Sequence, residues 1–350
     1  MNTEYDFDDV LILPNRSNIS SRNDVKLERT FEFYHSPKQL GCIPIIASNM
    51  LTTGTEEVGK ILRRCGLITC LHKYYNPKDL EEILRRNGET HFWISIGLDE
   101  LDKVKYLSYL YPNIVIDVPN GYMQLLPEYC AKVRELSPTS IITCGNVCTL
   151  EMCQELIMHG KVDIVKVGIG SGQNCTTRLL TGVGRPQLST ILDCRHVHGL
   201  KSAEHKLGLL TSDGGVKNPG DIAKAFCAGA DFVMIGGLIA GTEESGNEVD
   251  WVKKWGKKKH LKHYGMSTHY ARERIGINKK DYLASEGRIT NIPNKGPLKN
   301  LVSEILGGLR SCGAYIGASS IKEFSQCASF TKVNRIHSNT QYNIGDSYGN

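Results

Sequence analysis

The chain has 350 residues, 40% hydrophobic and 23% charged, with a formal net charge of +5. This is an ordinary globular composition that fits one large domain or an α/β barrel with insertions, and so mild a charge does not demand nucleic acid. No apolar run reaches the length of about 18 residues that a membrane span needs, and the acidic opening MNTEYDFDDVLILP lacks the basic stretch and apolar core of a signal peptide.

The 12 cysteines are scattered and no C-x-x-C pair occurs. Reduced thiols in a cytoplasmic protein are expected rather than a disulfide framework.

Taken in chain order, eight apolar, β-rich runs recur: 43–49, 67–72, 92–97, 114–118, 141–145, 163–168, 207–213 and 232–237. Most are separated by a helix-like segment of about a dozen residues, as βα units require. Examples are 55–65, 77–87, 124–136, 150–159 and 219–228. Asn218-Pro219 supplies a cap and a first-turn proline, and Thr149 precedes Glu151 in the same way. The runs are continuously apolar rather than alternating, which suits strands covered on both faces. A doubly wound open sheet is the alternative, but eight units at near-regular spacing favour a closed (β/α)8 TIM barrel.

In such a barrel the active site lies at the C-terminal ends of the strands. Ser48, Asn49, His72, Lys73, Asp117, Asn120, Asn146 and Asp213 all fall there. Singly they are turn formers; their recurrence at one end of successive strands points to a site. Cys194, His196 and His198 would share a face only on a strand. Their surroundings read as a helix, where residues two apart diverge, so a metal site is not expected.

Two spacings break the rhythm. The connection after the sixth run is long, and the last helix is delayed to about 298–309 by a polar insertion over 242–297 that includes WVKKWGKKKHLKHYG. Insertions at the catalytic end of a barrel are usually lids or substrate loops, so a flap is expected, with an RNA-binding patch as the lesser reading. The expected organisation is one catalytic domain over 1–335 with a disordered polar tail over 336–350.

The long connection opens with DIVKVGIGSGQNCTTR, residues 163–178. Gly168, Gly170 and Gly172 let the backbone turn tightly and approach a ligand. Cys175 follows, with Thr176, Thr177 and Arg178 behind it. A cysteine on a glycine loop beside an arginine can present a thiolate to a flat electrophile. Asp213-Gly214-Gly215 and Gly236-Gly237 end the seventh and eighth runs, where barrels often hold a phosphate. A nucleotide monophosphate follows from position, with Asp213 placed for its ribose hydroxyls.

The Cys-Thr-Thr-Arg loop resembles that of the inosine-monophosphate dehydrogenase and GMP reductase family. DFDDVLILP, ASNM, DVPNGY, GNV, SDGG, YGMS, ASEG and GGLRS extend the resemblance over about Asp6 to Gly317. Within the family, Lys73 to Asp79 leaves no room for the regulatory domain usual in the dehydrogenases, and the insertion lacks their Arg-Tyr base.

The resemblance implies reduction of GMP by NADPH to IMP and ammonia, through a thioimidate on Cys175. Thr177 and Glu286 would relay the proton that the leaving ammonia needs, Glu286 joining on a mobile flap when substrate binds. Asp213, Gly214, Gly215, Gly236, Gly237, Gly265, Met266, Ser267, Ser285 and Gly287 would contact the nucleotide. Ser21, Arg22, Lys73, Asp117, Val118, Pro119, Ile169, Gly170, Tyr282, Ser311, Cys312, Gly313 and Ala314 would face the dinucleotide, some from a neighbouring subunit of a homotetramer. A potassium ion would sit on carbonyls of Gly170, Gly172 and Cys175 with Arg178 adjacent. Gln173 stands where the family usually has a serine, Asn174 where it has an aliphatic residue, and Leu283 where arginine is common. An IMP dehydrogenase-like oxidoreductase and a non-catalytic purine-nucleotide-binding homologue remain as alternatives.

Overall fold

A computed structural model describes residues 3–202, 205–206, 208–246, 248–250, 260–276 and 286–333. Tyr282, Leu283 and Ser285, most of the lysine-rich run and the expected disordered tail lie outside the described residues.

Eight parallel strands close into a barrel: β1 (Ile45–Ala47), β2 (Ile68–Leu71), β3 (Phe92–Ile96), β4 (Ile114–Asp117), β5 (Ile142–Val147), β6 (Ile164–Val167), β7 (Leu209–Asp213) and β8 (Phe232–Ile235). They follow one another around the ring. The β8–β1 register pairs Val233 with Ile45, and β6–β7 pairs Leu209 with Ile164. The TIM-barrel expectation holds, and each strand sits inside its apolar run except β5, which continues two residues past 145 to Val147. Every residue of β1, β2, β3, β6 and β8 is buried, as two-sided cover requires.

Helices α1 (Glu56–Arg64), α2 (Pro77–Asn87), α3 (Leu101–Leu107), α4 (Leu126–Leu136), α5 (Leu150–Met158), α6 (Gln187–Cys194), α7 (Pro219–Ala228) and α8 (Leu298–Ile316) follow the strands. Asn218 caps α7 as expected, its side chain accepting from Asp221 N with Pro219 in the first turn. Thr149 holds the same position on α5 without capping it; its hydroxyl accepts from Tyr122 Oη at 3.1 Å instead.

α8 runs beyond the expected end near Leu309 to Ile316. Its glycines serve packing rather than termination. A Cβ on Gly308 would come within 3.0 Å of Pro219, and one on Gly313 within 2.6 Å of Val25. The helix stops at Gly317, which takes φ +72.

The N-terminal end of the barrel is closed by a hairpin, Arg29–Glu32 with Gln39–Cys42, not anticipated from the sequence. Phe31 stacks on Phe232, the first residue of β8, with ring centroids 4.3 Å apart. Beside it, Arg29 and His198 hold the buried carboxylate of Asp231 at 3.0 and 2.7 Å. His198 is thus spent on that carboxylate. No cluster of three His, Cys, Asp or Glu suited to a metal occurs among the described residues.

The insertion after β8 carries a three-stranded antiparallel sheet, β9 (Glu248–Asp250), β10 (His260–Tyr264) and β11 (Ile289–Pro293). No described helix is long and apolar enough to cross a membrane, and all 12 cysteines are free thiols.

Gly168, at the end of β6, takes φ +142, and a Cβ there would lie 2.0 Å from the Asp213 carbonyl oxygen on β7. Neither the backbone angle nor the neighbour can give. Gly168→Ala is expected to cost at least about 2 kcal/mol, read from the denaturation midpoint. A wild-type midpoint would show that the strand ends tolerate separation.

Candidate active site

The floor of the barrel mouth is built on one lysine. Lys166 comes from the middle of β6, and its ammonium lies 2.7 Å from Asp117 Oδ1 on β4 and 2.8 Å from Asp213 Oδ2 on β7. It also donates to Asn146 Oδ1 from β5. Asn146 Nδ2 in turn donates to Asp213 Oδ2 at 2.9 Å and to the Gly168 carbonyl at 2.8 Å. Burial by itself would lower the pKa of this ammonium, but the two carboxylates outweigh it and hold the value raised. Burial likewise works against the Asp117 carboxylate, yet Lys166 first and Lys73 second keep its pKa below the ordinary value. A cation between two carboxylates fixes both at the ends of their strands. Lys166 is not among the residues expected from the sequence. Its signal is a lysine inside an otherwise apolar strand, IVKV, where a buried charge must find partners.

Above this floor runs the nucleophile loop. Gly170 turns with φ +76 under the Arg178 side chain, and a Cβ there would meet Arg178 Cγ at 2.5 Å. Arg178 is held by Asp6 at 2.8 Å and by the Arg185 carbonyl at 2.5 Å. The loop rests on the β7 turn: Gly215 N donates to the Ser171 carbonyl at 2.9 Å, and a Cβ on Gly214 would strike Ser171 Oγ at 2.3 Å.

Cys175 is half-buried and its Sγ lies 3.1 Å from Thr177 Oγ1. That hydroxyl donates to Glu286 Oε2 at 2.6 Å. Backbone contacts dock the flap onto the loop: Thr176 N donates to the Glu286 carbonyl at 3.0 Å, Arg288 N to the Asn174 carbonyl at 3.0 Å, and Cys175 bridges Gly287. Glu286 is therefore in direct contact with Thr177. A thiol, a hydroxyl and a carboxylate in series form a path along which a proton can pass without water.

The glycines of the strand ends face these groups. A Cβ on Gly236 would meet Ser48 Oγ at 2.7 Å and Met50 Sδ at 3.1 Å, and one on Gly237 would meet Gln173 Oε1 at 2.2 Å. Gly265 and Gly287 touch across the flap, where a Cβ on Gly287 would lie 3.1 Å from Ser267 Oγ and 3.3 Å from Gly265 Cα. Met266 Sδ accepts from Leu51 N at 3.4 Å, joining the flap to the loop after β1. So Asp213 to Gly215, Gly236, Gly237, Gly265 to Ser267 and Gly287 gather around the mouth with Cys175.

The expected dinucleotide residues divide into two groups. Lys73, Asp117, Val118, Pro119, Ile169 and Gly170 lie at strand ends around the mouth. Val118 is buried, its amide donating to the Gly145 carbonyl at 3.0 Å, while Pro119 is exposed. Ser21 and Arg22 instead sit in the short helix Arg22–Asp24 and its cap, which packs on the last turns of α8 that carry Ser311, Cys312, Gly313 and Ala314. Barrel helices run back from the mouth, so this second group lies towards the opposite end from Cys175.

Two basic groups missed in the sequence flank the β8 turn. Lys295 Nζ donates to the Gly237 and Leu238 carbonyls at 3.0 and 2.8 Å, and burial pushes its pKa down to about 8. His263, from β10, is 2% exposed, and burial with the Lys295 charge lowers its pKa to about 4. Neither stands in a motif; the antiparallel pairing of β10 with β11 brings them here.

Residues 93–340 match the family model described as the IMP dehydrogenase / GMP reductase domain. The chain is 44% identical over 346 residues to a GMP reductase from Shigella boydii serotype 18, covering 95% of this chain and 97% of that protein. GMP reductases from Escherichia coli O1:K1 / APEC and Escherichia coli strain K12 / DH10B match with the same identity and coverage.

Proposed function

The chain belongs to the IMP dehydrogenase / GMP reductase family, and on that premise we propose that it is a GMP reductase, converting GMP and NADPH to IMP, ammonia and NADP⁺. The observation that carries this reading is the contact series from Cys175 through Thr177 to Glu286, at 3.1 and 2.6 Å.

The atoms balance along that series. The Cys175 thiol proton passes through Thr177 to Glu286 as sulfur adds to purine C2. The same proton returns through Thr177 to the departing amino nitrogen, so ammonia leaves neutral and the purine stays on sulfur as a thioimidate. NADPH, which Lys73 and Asp117 would hold in this reading, would supply the hydride that C2 receives. The C2–S bond then breaks, IMP departs, and a solvent proton restores the thiol. Asp213, held by Lys166 and Asn146, accepts from the ribose hydroxyls, and the amides of the glycine turns hold the phosphate.

Lys73 and Asp117 face the dinucleotide in this reading, with Tyr282 and Ser285 added from the flap. Ser21, Arg22 and Ser311 to Ala314 reach the site of a neighbouring subunit, which their distance from their own Cys175 supports; the working unit is then a cytoplasmic homotetramer. Carbonyls of Gly170, Gly172 and Cys175 suit a potassium ion. They are neutral hard oxygens on a tight loop, and Gly172 O, which accepts Cys175 N at 3.0 Å, keeps a second lone pair.

A panel of GMP, dGMP, IMP and XMP with NADPH, NADH and their oxidised forms tests the reading by absorbance. NADPH oxidation with GMP, one IMP and one ammonia per turnover, is expected. Reduction of the oxidised cofactor by IMP with XMP as product would establish the dehydrogenase reaction instead. Glu286→Gln preserves size but cannot hold the proton, so kcat should fall about a hundredfold with little change in KM for GMP. An unchanged kcat would remove Glu286 from the relay.

A further inference from the structure

The opening segment of the chain lies along the connection that carries the nucleophile. Tyr5 N donates to Ser189 Oγ at 2.8 Å and Ser189 N to the Tyr5 carbonyl at 3.1 Å, which pins the segment to α6. Asp6 follows, and its carboxylate faces two elements at once. Oδ1 accepts from the amide of Gln187, the first residue of α6, at 2.6 Å, and Oδ2 accepts from Arg178 Nη1 at 2.8 Å. The α6 side of this bridge is rigid. Gln187 is fully buried, and its Nε2 donates to the Val167 carbonyl on β6 at 2.9 Å and to Ser212 Oγ on β7 at 3.1 Å. Asp6 is itself braced, its amide donating to Asp9 Oδ2 at 2.8 Å. Arg178 stands directly after Thr177, and its aliphatic stem covers Gly170 and Gly184, where a Cβ would meet Arg178 Cγ at 2.5 and 2.7 Å. Asp6 is the one carboxylate paired with Arg178 among the described residues. The stretch DFDD that opens at Asp6 stood out in the sequence, yet the proton path through Thr177 and Glu286 leaves it no part.

We propose that Asp6 is a positioning residue for the reaction: through Arg178 it fixes the loop bearing Cys175 and Thr177 to the barrel, which makes the N-terminal segment part of the catalytic apparatus. This rests on the reading of Cys175 as the nucleophile. The contacts from Cys175 to Thr177 and from Thr177 to Glu286, 3.1 and 2.6 Å, pass a proton only while loop and flap keep their places. A misplacement of about 1 Å costs on the order of a hundredfold in rate. A loop that turns on Gly168 and Gly170, both at positive φ, has little stiffness of its own. The guanidinium supplies it. Its planar fork meets the Asp6 carboxylate through Nη1 at 2.8 Å and Nη2 at 3.4 Å, and Nη2 also donates to the Arg185 carbonyl at 2.5 Å. Arg185 is held in the same manner, by Glu4 at 2.8 Å and Asp193 at 2.6 Å. Both arginines that bound the stretch 178–185 are thus tied to the one N-terminal segment.

A double-mutant cycle in the full chain tests this. Asp6→Asn keeps an oxygen for the Gln187 amide but no charge for Arg178. It should lower kcat for GMP with NADPH at least about tenfold and leave KM for GMP within about threefold, because Asp213 is held by Lys166 and not by this segment. Asp6→Glu restores the charge and should recover most of the rate. Arg178→Met should be slowed at least as much as Asp6→Asn, and combining the two should cost nothing further, since the partner is already gone. The pair is partly exposed, so the unfolding midpoint of Asp6→Asn should move by no more than ~2 °C. An unchanged kcat in Asp6→Asn, or losses that add in the double variant, would overturn the proposal. Alkylation of Cys175 by iodoacetamide, read by peptide mass analysis, reports the loop without turnover. The half-buried thiol should react several-fold faster in each single variant, and no faster in the double variant than in Arg178→Met. If the wild type turns over no GMP, the reductase reading fails and these rates alone decide the role of Asp6: faster alkylation in the variants supports it, and equal rates across the series overturn it.

Discussion

Replacing Cys175 by alanine is expected to abolish turnover while leaving GMP bound within a few-fold of wild type. Removing the nucleophile from an enzyme that works through a covalent intermediate acts on the order of a million-fold. No neighbour is placed to substitute. Ser171 Oγ donates to the Asp213 carbonyl at 3.2 Å, and the Thr177 hydroxyl is committed to Glu286. Cys148, the other cysteine on a strand-end loop, sits 3.4 Å from the Tyr122 hydroxyl, and burial raises its thiol pKa. Cys175 is only half-buried and its contacts to the flap are made by backbone, so the variant should fold. Residual activity above background, with the fold intact, would require a different nucleophile or a direct hydride transfer.

The second large effect is expected at Lys166. Lys166→Met removes the shared cation and leaves Asp117 and Asp213 facing each other across the floor. Breaking a buried pair from one side typically costs about 3–5 kcal/mol, because the remaining charge has no compensation. Here two carboxylates are stranded, though each is partly open to solvent, at 27% and 22% side-chain exposure, which moderates the cost. The sign of the pH dependence follows. Without Lys166 one carboxyl has a folded-state pKa above its unfolded value, so the stability deficit is largest at neutral pH and shrinks as pH falls and that carboxyl takes a proton. Lys166→Met combined with Asp117→Asn should recover part of the loss. Chemical denaturation of the single and double variants at two pH values measures both effects. A double variant no better than the single one would mean that Lys166 acts by filling space.

What the sequence made legible, and what it hid, divides along local against long-range physics. The barrel could be read because each strand is an unbroken apolar run and several helices open on caps, such as Asn218-Pro219. Cys175 and its glycines are contiguous, so the loop announced itself. Lys166 was hidden because its partners come from three other strands, at positions 117, 146 and 213. The plug at the base was hidden because Phe31 and Phe232 are 201 residues apart in the chain, and no local pattern records that stacking. His263 and Lys295 reach the β8 turn only through the register of β10 with β11. The true end of α8 was hidden as well, and Gly308 marks where that helix lies against Pro219 at the start of α7.

The account depends on sulfur bonding to purine C2, and the reverse half-reaction exposes that bond. With IMP and oxidised cofactor but no ammonia, hydride leaves C2 and nothing is present to displace the cysteine, so the purine should remain on the enzyme. Acid quenching followed by peptide mass analysis is predicted to find the purine nucleotide on the peptide containing Cys175, and on nothing in Cys175→Ala. Reduced cofactor formed without a modified Cys175 peptide, or a nucleotide carried equally by Cys175→Ala, would contradict it.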